Sequence, residues 1–509
     1  MVDSIFVRYE RIVLDNHTQF GSLVQNGDAR PLLIWHMLVP MVLPICALLI
    51  PQHRGRVLRP IFYAITLSLS IEIIRYRRAL LGGNGYMVGL IMVWWLVWSS
   101  TLIFFNDAER DFRRIERVRS TEIKGAPGQQ NGHAGNRENK LNEAPRYTDT
   151  LVWQSYPRSF THRLGWTLAL VLNMRGPDFN FRISSLDPLP PQLDSKNHRE
   201  NNKRVCPQAK TRLRAAVIRF VIAYLTLDIL KLIMIWDPYF LATISEPLPF
   251  PLDHLSAIPG LVRVYRFIVS GTGVYVALHF VTALNPIVFL GLSSAFPNAS
   301  RAITATPLDA PWLYADQFGP LTAILDEGLA GAWGKWWHQI FRFGFVSTAK
   351  WTISLLPSAI SSNRSIRRII TTFVAFGTSG LIHGFGSYTQ LGKKTRPVSG
   401  PFLFFILQAV GVIVQDICSR NMVALLSRHG LPPPRWLRRI GNIVFVIGWL
   451  LLSGSRIADD FADGGLWLTE PLPFSPIRGL MGQGWNCWRA PWFEYHDDGT
   501  FWGRGVRIL

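Results

Sequence analysis

Arg368-Ile-Ile-Thr-Thr-Phe-Val-Ala-Phe-Gly-Thr-Ser-Gly-Leu-Ile-His383-Gly-Phe-Gly-Ser-Tyr388 is an apolar run of membrane-spanning length with a histidine near its middle. A helix of about 20 apolar residues crosses the hydrocarbon layer of a bilayer, and an imidazole at that depth costs free energy unless it has a partner or a task. Ser379 and Gly380 lie one turn before His383, and Gly386 and Ser387 one turn after. On a helix these small residues share its face and leave space beside the ring. Gly380 and Gly384 also form a GxxxG spacing, which by itself signals close helix packing.

Working outward, similar runs recur at Leu32–Ile50, Tyr86–Phe105, Ala215–Trp236, Phe267–Leu292, Pro401–Cys418 and Ile440–Ser453, with shorter ones at Ile61–Ile74 and Gly344–Ile360. Of the 509 residues 49% are hydrophobic and only 17% charged, which excludes an ordinary soluble enzyme. The expectation is an all-α polytopic membrane protein of about seven to nine transmembrane helices, with amphipathic interfacial helices. Four parts are expected: 1–105, N-terminal transmembrane helices; 106–214, a long cytosolic loop; 215–457, a catalytic transmembrane core; and 458–509, a Trp-rich tail. The first 30 residues lack a basic start followed by an apolar stretch, so the first span is expected to act as the targeting signal.

The net charge of +20 suggests nucleic acid in a soluble chain. Here Lys and Arg sit mostly between the apolar runs, where anchoring and orientation in a membrane explain them, and no nucleic-acid partner is expected. The basic region Asn106–Arg214 is placed in the cytosol, with a linker at Gly125–Glu143 and an interfacial helix over Trp153–Asn173. Asp237–Gly260, without Lys or Arg, then falls on the opposite side, and Ser293–Phe343 returns to the cytosol. The rule conflicts with itself around Ile61–Ile74, flanked by Arg54, Arg56 and Arg59 on one end and by Arg75, Arg77 and Arg78 on the other. Cys46, Cys206, Cys418 and Cys487 have no disulfide or metal spacing, so no metal site is expected.

A second histidine lies about 45 residues upstream of the first, in Trp333-Gly-Lys-Trp-Trp-His338-Gln-Ile-Phe-Arg342. As a helix, this stretch aligns Trp333, Trp336 and Trp337 in one stripe and Lys335, His338 and Arg342 on another face. Interfacial anchoring is one reading of that pattern. The other is that Lys335 and Arg342 meet anionic phosphates while His338 faces a reacting group. A neutral imidazole in an apolar cavity suits general-base catalysis, taking the proton of a hydroxyl that attacks a thioester. Glu72, Asp228 and Asp416, also inside apolar runs, are read as hydrogen-bonding groups between helices. HxxxD and GxSxG do not occur, and Gly82-Gly-Asn-Gly85 lacks the strand and helix of a dinucleotide site.

Leu329, Trp333, Gly334, Trp337, His338 and Gln339, followed by Ser-Gly-Leu-Ile-His383-Gly, resemble the signature of the wax-synthase-like branch of the membrane-bound O-acyltransferases. The layout is similar to fungal members that acetylate terpenoid or meroterpenoid natural products. The likeness covers roughly Gly260–Ser453 and, more loosely, Trp153–Arg182. The chain departs from the pattern at Ala330-Gly331-Ala332, where an Arg-acidic-Phe triplet is common, and at Trp336, where a basic residue is usual.

The resemblance implies an acyl-CoA-dependent O-acyltransferase with His383 and His338 catalytic. Trp333, Lys335, Trp337, Gln339 and Arg342 would then bind substrate or coenzyme A. It implies acetyl-CoA as co-substrate with no bound cofactor, a lipophilic alcohol as acceptor, membrane lipids as surroundings and a multi-pass location in the endoplasmic reticulum. Synthesis of long-chain wax or sterol esters is the rival within the enzyme class. A non-enzymatic transporter or lipid-binding protein is the rival outside it, disfavoured because no internal repeat occurs. No oligomeric state follows from the sequence.

Overall fold

The structure, a computed structural model, describes residues 2–121, 147–193, 206–428 and 434–509. The expected linker Gly125–Glu143 lies outside them. In chain order the longer elements are α1 (Val2–Gln25), α2 (Ile34–Leu49), α3 (Leu58–Tyr76) and α4 (Tyr86–Ser100, prolonged by the π-helical turn Thr101–Phe105). The hairpin β1 (Arg114–Thr121) and β2 (Tyr147–Gln154) precedes α5 (Phe160–Leu172), α6 (Ala209–Trp236), α7 (Leu261–Asn285), α8 (Thr322–Gly331) and α9 (Arg342–Ser354). Then come α10 (Arg364–Thr389), α11 (Leu403–Arg428), α12 (Arg435–Ser453), α13 (Ser455–Asp463) and a final hairpin, β3 (Phe493–His496) with β4 (Gly505–Ile508).

Among the described residues five stretches are long and apolar enough to cross a membrane: 86–105, 261–295, 364–389, 398–428 and 435–463. With the helical content, they make this an all-α polytopic membrane protein. The helix at Gly344–Ile360 ends at Ser354 after 13 residues, too short to span, and it packs on α10 instead. α6 is 28 residues long but carries buried Asp228 and Lys231. Both are satisfied by the C-terminal segment: Asp228 accepts from Ile477 N at 3.0 Å and from Ser475 Oγ, and Lys231 donates to Trp467 O at 2.6 Å. Glu72 accepts from Arg77 Nε at 2.9 Å. Asp416 departs from the expected helix-to-helix role, because it is exposed and pairs with Arg420 on its own helix.

Two local expectations are corrected. Trp153 lies in a strand opposite Ile115, and the helix beyond it begins only at Phe160, because β1 and β2 pair over eight residues each. The Trp333–Arg342 stretch is not one helix. A π-helical turn, Ala332–Trp336, ends where Trp337 turns extended (ψ 139), and α9 starts at Arg342.

α10 begins where the Asn363 side chain caps the amides of Ser365 and Ile366. Its outer side exposes Ile369, Phe373, Leu381 and Phe385, while Gly380, Ile382, Gly384, Gly386 and Ser387 are buried. Small residues on the buried side let neighbours approach closely. A Cβ on Gly89 of α4 would stand 2.0 Å from the Phe385 carbonyl oxygen, and one on Gly380 would stand 3.0 Å from the Phe402 ring. The Gly380–Gly384 pair therefore receives the turn before α11, and Gly89 receives α10.

Gly89→Ala is expected to destabilise the protein by about 3 kcal/mol, the upper part of the usual overpacking range. Gly441→Ala, in α12 with open space around the new methyl group, is expected to be neutral or slightly stabilising. Thermal unfolding of the two detergent-purified variants against the parent protein checks this.

Candidate active site

His383 projects from α10 into the junction of α4, α10 and α11. Its Nδ1 is 2.6 Å from the Tyr86 hydroxyl, and its ring stacks on Phe405 of α11 with centroids 4.7 Å apart and planes 19° apart. No hydrogen-bond partner of Nε2 is found among the described residues, and the ring stays only partly buried. One ring nitrogen is thus fixed and the other is free for a reacting group.

The Trp333–Arg342 segment comes to the same place. Trp333 meets Phe376, Phe404 and Phe405 at centroid distances of 5.9, 6.2 and 6.0 Å, so it shares with His383 the ring of Phe405. His338 joins this cluster through Trp337, whose ring lies 5.5 Å from that of His338 and 6.0 Å from that of Trp333. Phe318 and Phe341 stand edge-on to His338 at 6.3 and 5.6 Å. Its Nδ1 is buried without a partner among the described residues. Burial, and secondarily the charge of Arg175, push the His338 imidazole from the ordinary 6.5 down to about 4. It is neutral at physiological pH.

Gln339 and Arg342 hold this segment in shape. Gln339 Nε2 donates to Trp333 O at 3.0 Å and to Trp337 O at 2.5 Å, and its Oε1 accepts from Arg342 Nη1 at 2.8 Å. Arg342 Nη1 also reaches the carbonyl of Gly334. Lys335 is exposed and pairs with Glu327. Of the residues singled out in the sequence, Trp333, Trp337, His338 and His383 therefore gather in one aromatic cluster. Gln339 and Arg342 brace the loop, and Lys335 stands at its rim.

Several positioning residues carried no motif. Gln415 of α11 accepts from Leu329 N at 2.8 Å and donates to Asn442 of α12, which in turn donates to Leu325 O, so three helices fix the segment leading to Trp333. Arg175, 8% exposed, donates to the carbonyls of Ala315 and Asp316. Beside them a cavity of about 180 Å³ is lined by Asn173, Arg175, Arg219, Asn285, Gln317 and Ile340. This polar cavity opens two residues from His338. Among the described residues no cluster of side chains could hold a metal ion.

Residues 314–407, which include both histidines, match the model of the membrane bound O-acyl transferase family. Over 265 residues, half of this chain, the sequence is 28% identical to the Aspergillus niger protein named O-Mevalon transferase yanI, and this covers 53% of that relative. A Penicillium terrestre protein, O-Mevalon transferase macI, is 24% identical over 57% of this chain and 61% of its own length. Acetyltransferase aurG of Calcarisporium arbuscula is 33% identical over 26% of this chain and 31% of its own. The chain thus spans little more than half the length of the first two relatives. No solved structure matches it.

The depressed basicity of His338 has a consequence for stability. A group that binds protons less readily when folded stabilises the fold above its unfolded value near 6.5, and that contribution is lost as pH falls toward its folded value near 4. The parent protein should lose thermal stability between pH 6.5 and 4 more steeply than His338→Asn. Parallel slopes for the two proteins in a pH series of melting curves would exclude this.

Proposed function

We propose that the protein is a membrane O-acyltransferase that moves the acetyl group of acetyl-CoA to a hydroxyl of a lipophilic terpenoid or meroterpenoid intermediate in secondary metabolism. The observation that carries this reading is the convergence of two incompletely hydrogen-bonded imidazoles, His338 and His383, on one aromatic-walled space inside the segment that matches the acyltransferase family. The names of the relatives, acetyltransferases and O-mevalon transferases of fungi, support acyl transfer to oxygen.

In this mechanism the acceptor hydroxyl gives its proton to Nε2 of His383 as its oxygen bonds to the acyl carbon. The carbon–sulfur bond of the thioester then breaks, and the leaving thiolate takes the proton back from Nε2, giving the ester and free coenzyme A. His338, neutral at working pH, positions or polarises the reacting carbonyl. Aromatic walls keep water from intercepting the acyl group. Trp333 and Trp337 shape the acyl site, Lys335 offers a cation at the rim, and Gln339 and Arg342 fix the loop that carries His338. The cavity beside Arg175 also holds Asp316, which pairs with Arg219 at 2.6 Å, so an anionic donor entering there would compete with that carboxylate for the guanidinium. Phe405 stacked on His383, with Trp333 and Phe404 behind it, favours a short acyl group over the long chain of a wax or sterol ester. An endoplasmic reticulum location fits a lipophilic acceptor arriving from the bilayer and a CoA ester arriving from the cytosol.

Microsomes containing the protein, incubated with radiolabelled acetyl-CoA and a panel of terpenoid alcohols, should form labelled ester. His383→Ala should lower kcat by about a hundredfold or more, the usual share of a general base. Full activity in that variant rules out His383 as the base.

A further inference from the structure

The turn Gly82-Gly-Asn-Gly85 has no part in the reading so far, yet it is one of the least ordinary pieces of backbone in the molecule. All four residues have positive φ: 78, 73, 54 and 91°. L-residues seldom adopt this conformation, and four in succession are tolerated here because three are glycine. The turn is pinned on several sides. Asn84 Nδ2 donates to Gly464 O at 2.8 Å, and the Asn84 carbonyl accepts from Leu391 N. The Gly85 carbonyl accepts from the Thr389 hydroxyl at 2.9 Å. A Cβ on Gly85 would stand 2.6 Å from the Thr389 carbonyl oxygen.

This pinned turn ends at Tyr86, the first residue of α4. Tyr86 is 4% exposed, its ring lies edge-on to Phe461 at 5.2 Å, and the missing side chain of Gly386 makes room for it: a Cβ there would be 2.9 Å from the ring. The hydroxyl reaches Nδ1 of His383 at 2.6 Å, across 297 residues of sequence. A neutral imidazole has one N–H and one lone pair, and the partner of one nitrogen decides which is which. If the phenol donated its proton to Nδ1, Nε2 would carry the N–H and could not take a proton from an alcohol.

We propose that Tyr86 is a positioning residue that selects the working tautomer of His383: its oxygen accepts the Nδ1–H and leaves the Nε2 lone pair facing the reaction space. This rests on the reading of His383 as the base. The phenol O–H is then oriented away from the imidazole. Asp460, next in sequence to the Phe461 that packs on Tyr86, has one buried carboxylate oxygen without a partner among the described residues. The left-handed turn serves to bring the phenol to its place at the start of α4, held against α10 by the same contacts that seat His383.

Solid-state ¹⁵N NMR of histidine-labelled protein in lipid bilayers at pH 7 tests this without any acceptor, with His383→Ala assigning the signals. The expected result is a protonated Nδ1 and a bare Nε2 at His383, and loss of that single state in Tyr86→Phe. A protonated Nε2 in the parent protein overturns the proposal. In the acyl-transfer assay Tyr86→Phe should lower kcat about 10- to 100-fold, with KM for acetyl-CoA within twofold and an unchanged melting temperature. Parent-like kcat, or a variant that does not fold, assigns Tyr86 to packing and overturns it as well. If His383→Ala remains fully active, the base itself is misassigned, whichever tautomer the spectra show.

Discussion

The close approach of α4 and α10 is the constraint on which the candidate site depends. Where Gly89 meets the carbonyl of Phe385 and Gly386 receives the ring of Tyr86, no side chain larger than hydrogen fits. Apolar side chains cannot draw helices together inside a bilayer as they do in water, so contact there depends on shape and on polar groups. This junction has both. Thr389 links the two helices, accepting from Gly89 N at 2.9 Å and donating to Gly85 O. A separation wider by one methyl group would carry Tyr86 out of reach of His383.

The second histidine is held in a different manner. His338 sits on irregular backbone between a π-helical turn and α9, a conformation that leaves carbonyls unpaired unless side chains satisfy them. Gln339 and Arg342 satisfy those of Trp333, Trp337 and Gly334. Gln415 and Asn442 secure the helix in front. Polar side chains are thus spent on shape, while the two imidazoles keep nitrogens free. The unpaired buried Nδ1 of His338 opposes folding by roughly 1–3 kcal/mol.

Five of the nine expected runs, those at Tyr86–Phe105, Phe267–Leu292, Ile369–Tyr388, Pro401–Cys418 and Ile440–Ser453, fall in helices long and apolar enough to span, because hydropathy over 20 residues survives any detail of packing. The loop around His338 was not legible in the sequence. Trp333, Trp336 and Trp337 have helical spacing, and periodicity cannot register that Gln339 caps the carbonyls from within and that Gly319 N takes the Trp336 carbonyl at 2.9 Å. Nor could the strand at Trp153 be read, since its partner lies beyond the intervening linker. Tyr86 was hidden for a related reason: its phenol meets a residue 297 positions away. The glycine cluster before it was visible, but its chemistry pointed to no known binding motif.

The charges flanking α3 show why counting basic residues failed there. Arg59 is 4% exposed and donates to Ala47 O, Ile50 O and Glu109, while Arg77, 3% exposed, is taken up by Glu72 and the carbonyl of Pro31. Arg78 donates to the carbonyl of Ile74 and lies over the ring of Tyr388. A basic residue votes on orientation only when it faces the water and lipid headgroups at one surface; these three are engaged within the protein. Their partners nevertheless locate the ends of the helix. Glu109 follows the end of α4, whereas Pro31 pairs beside Arg77 and Arg78 next to the turn that begins α4. α3, 19 residues or about 28 Å long, therefore runs alongside α4 from one end to the other, with Arg59 fastened at one end and Arg77 and Arg78 at the other, while Arg54, Arg56 and Arg75 stay exposed.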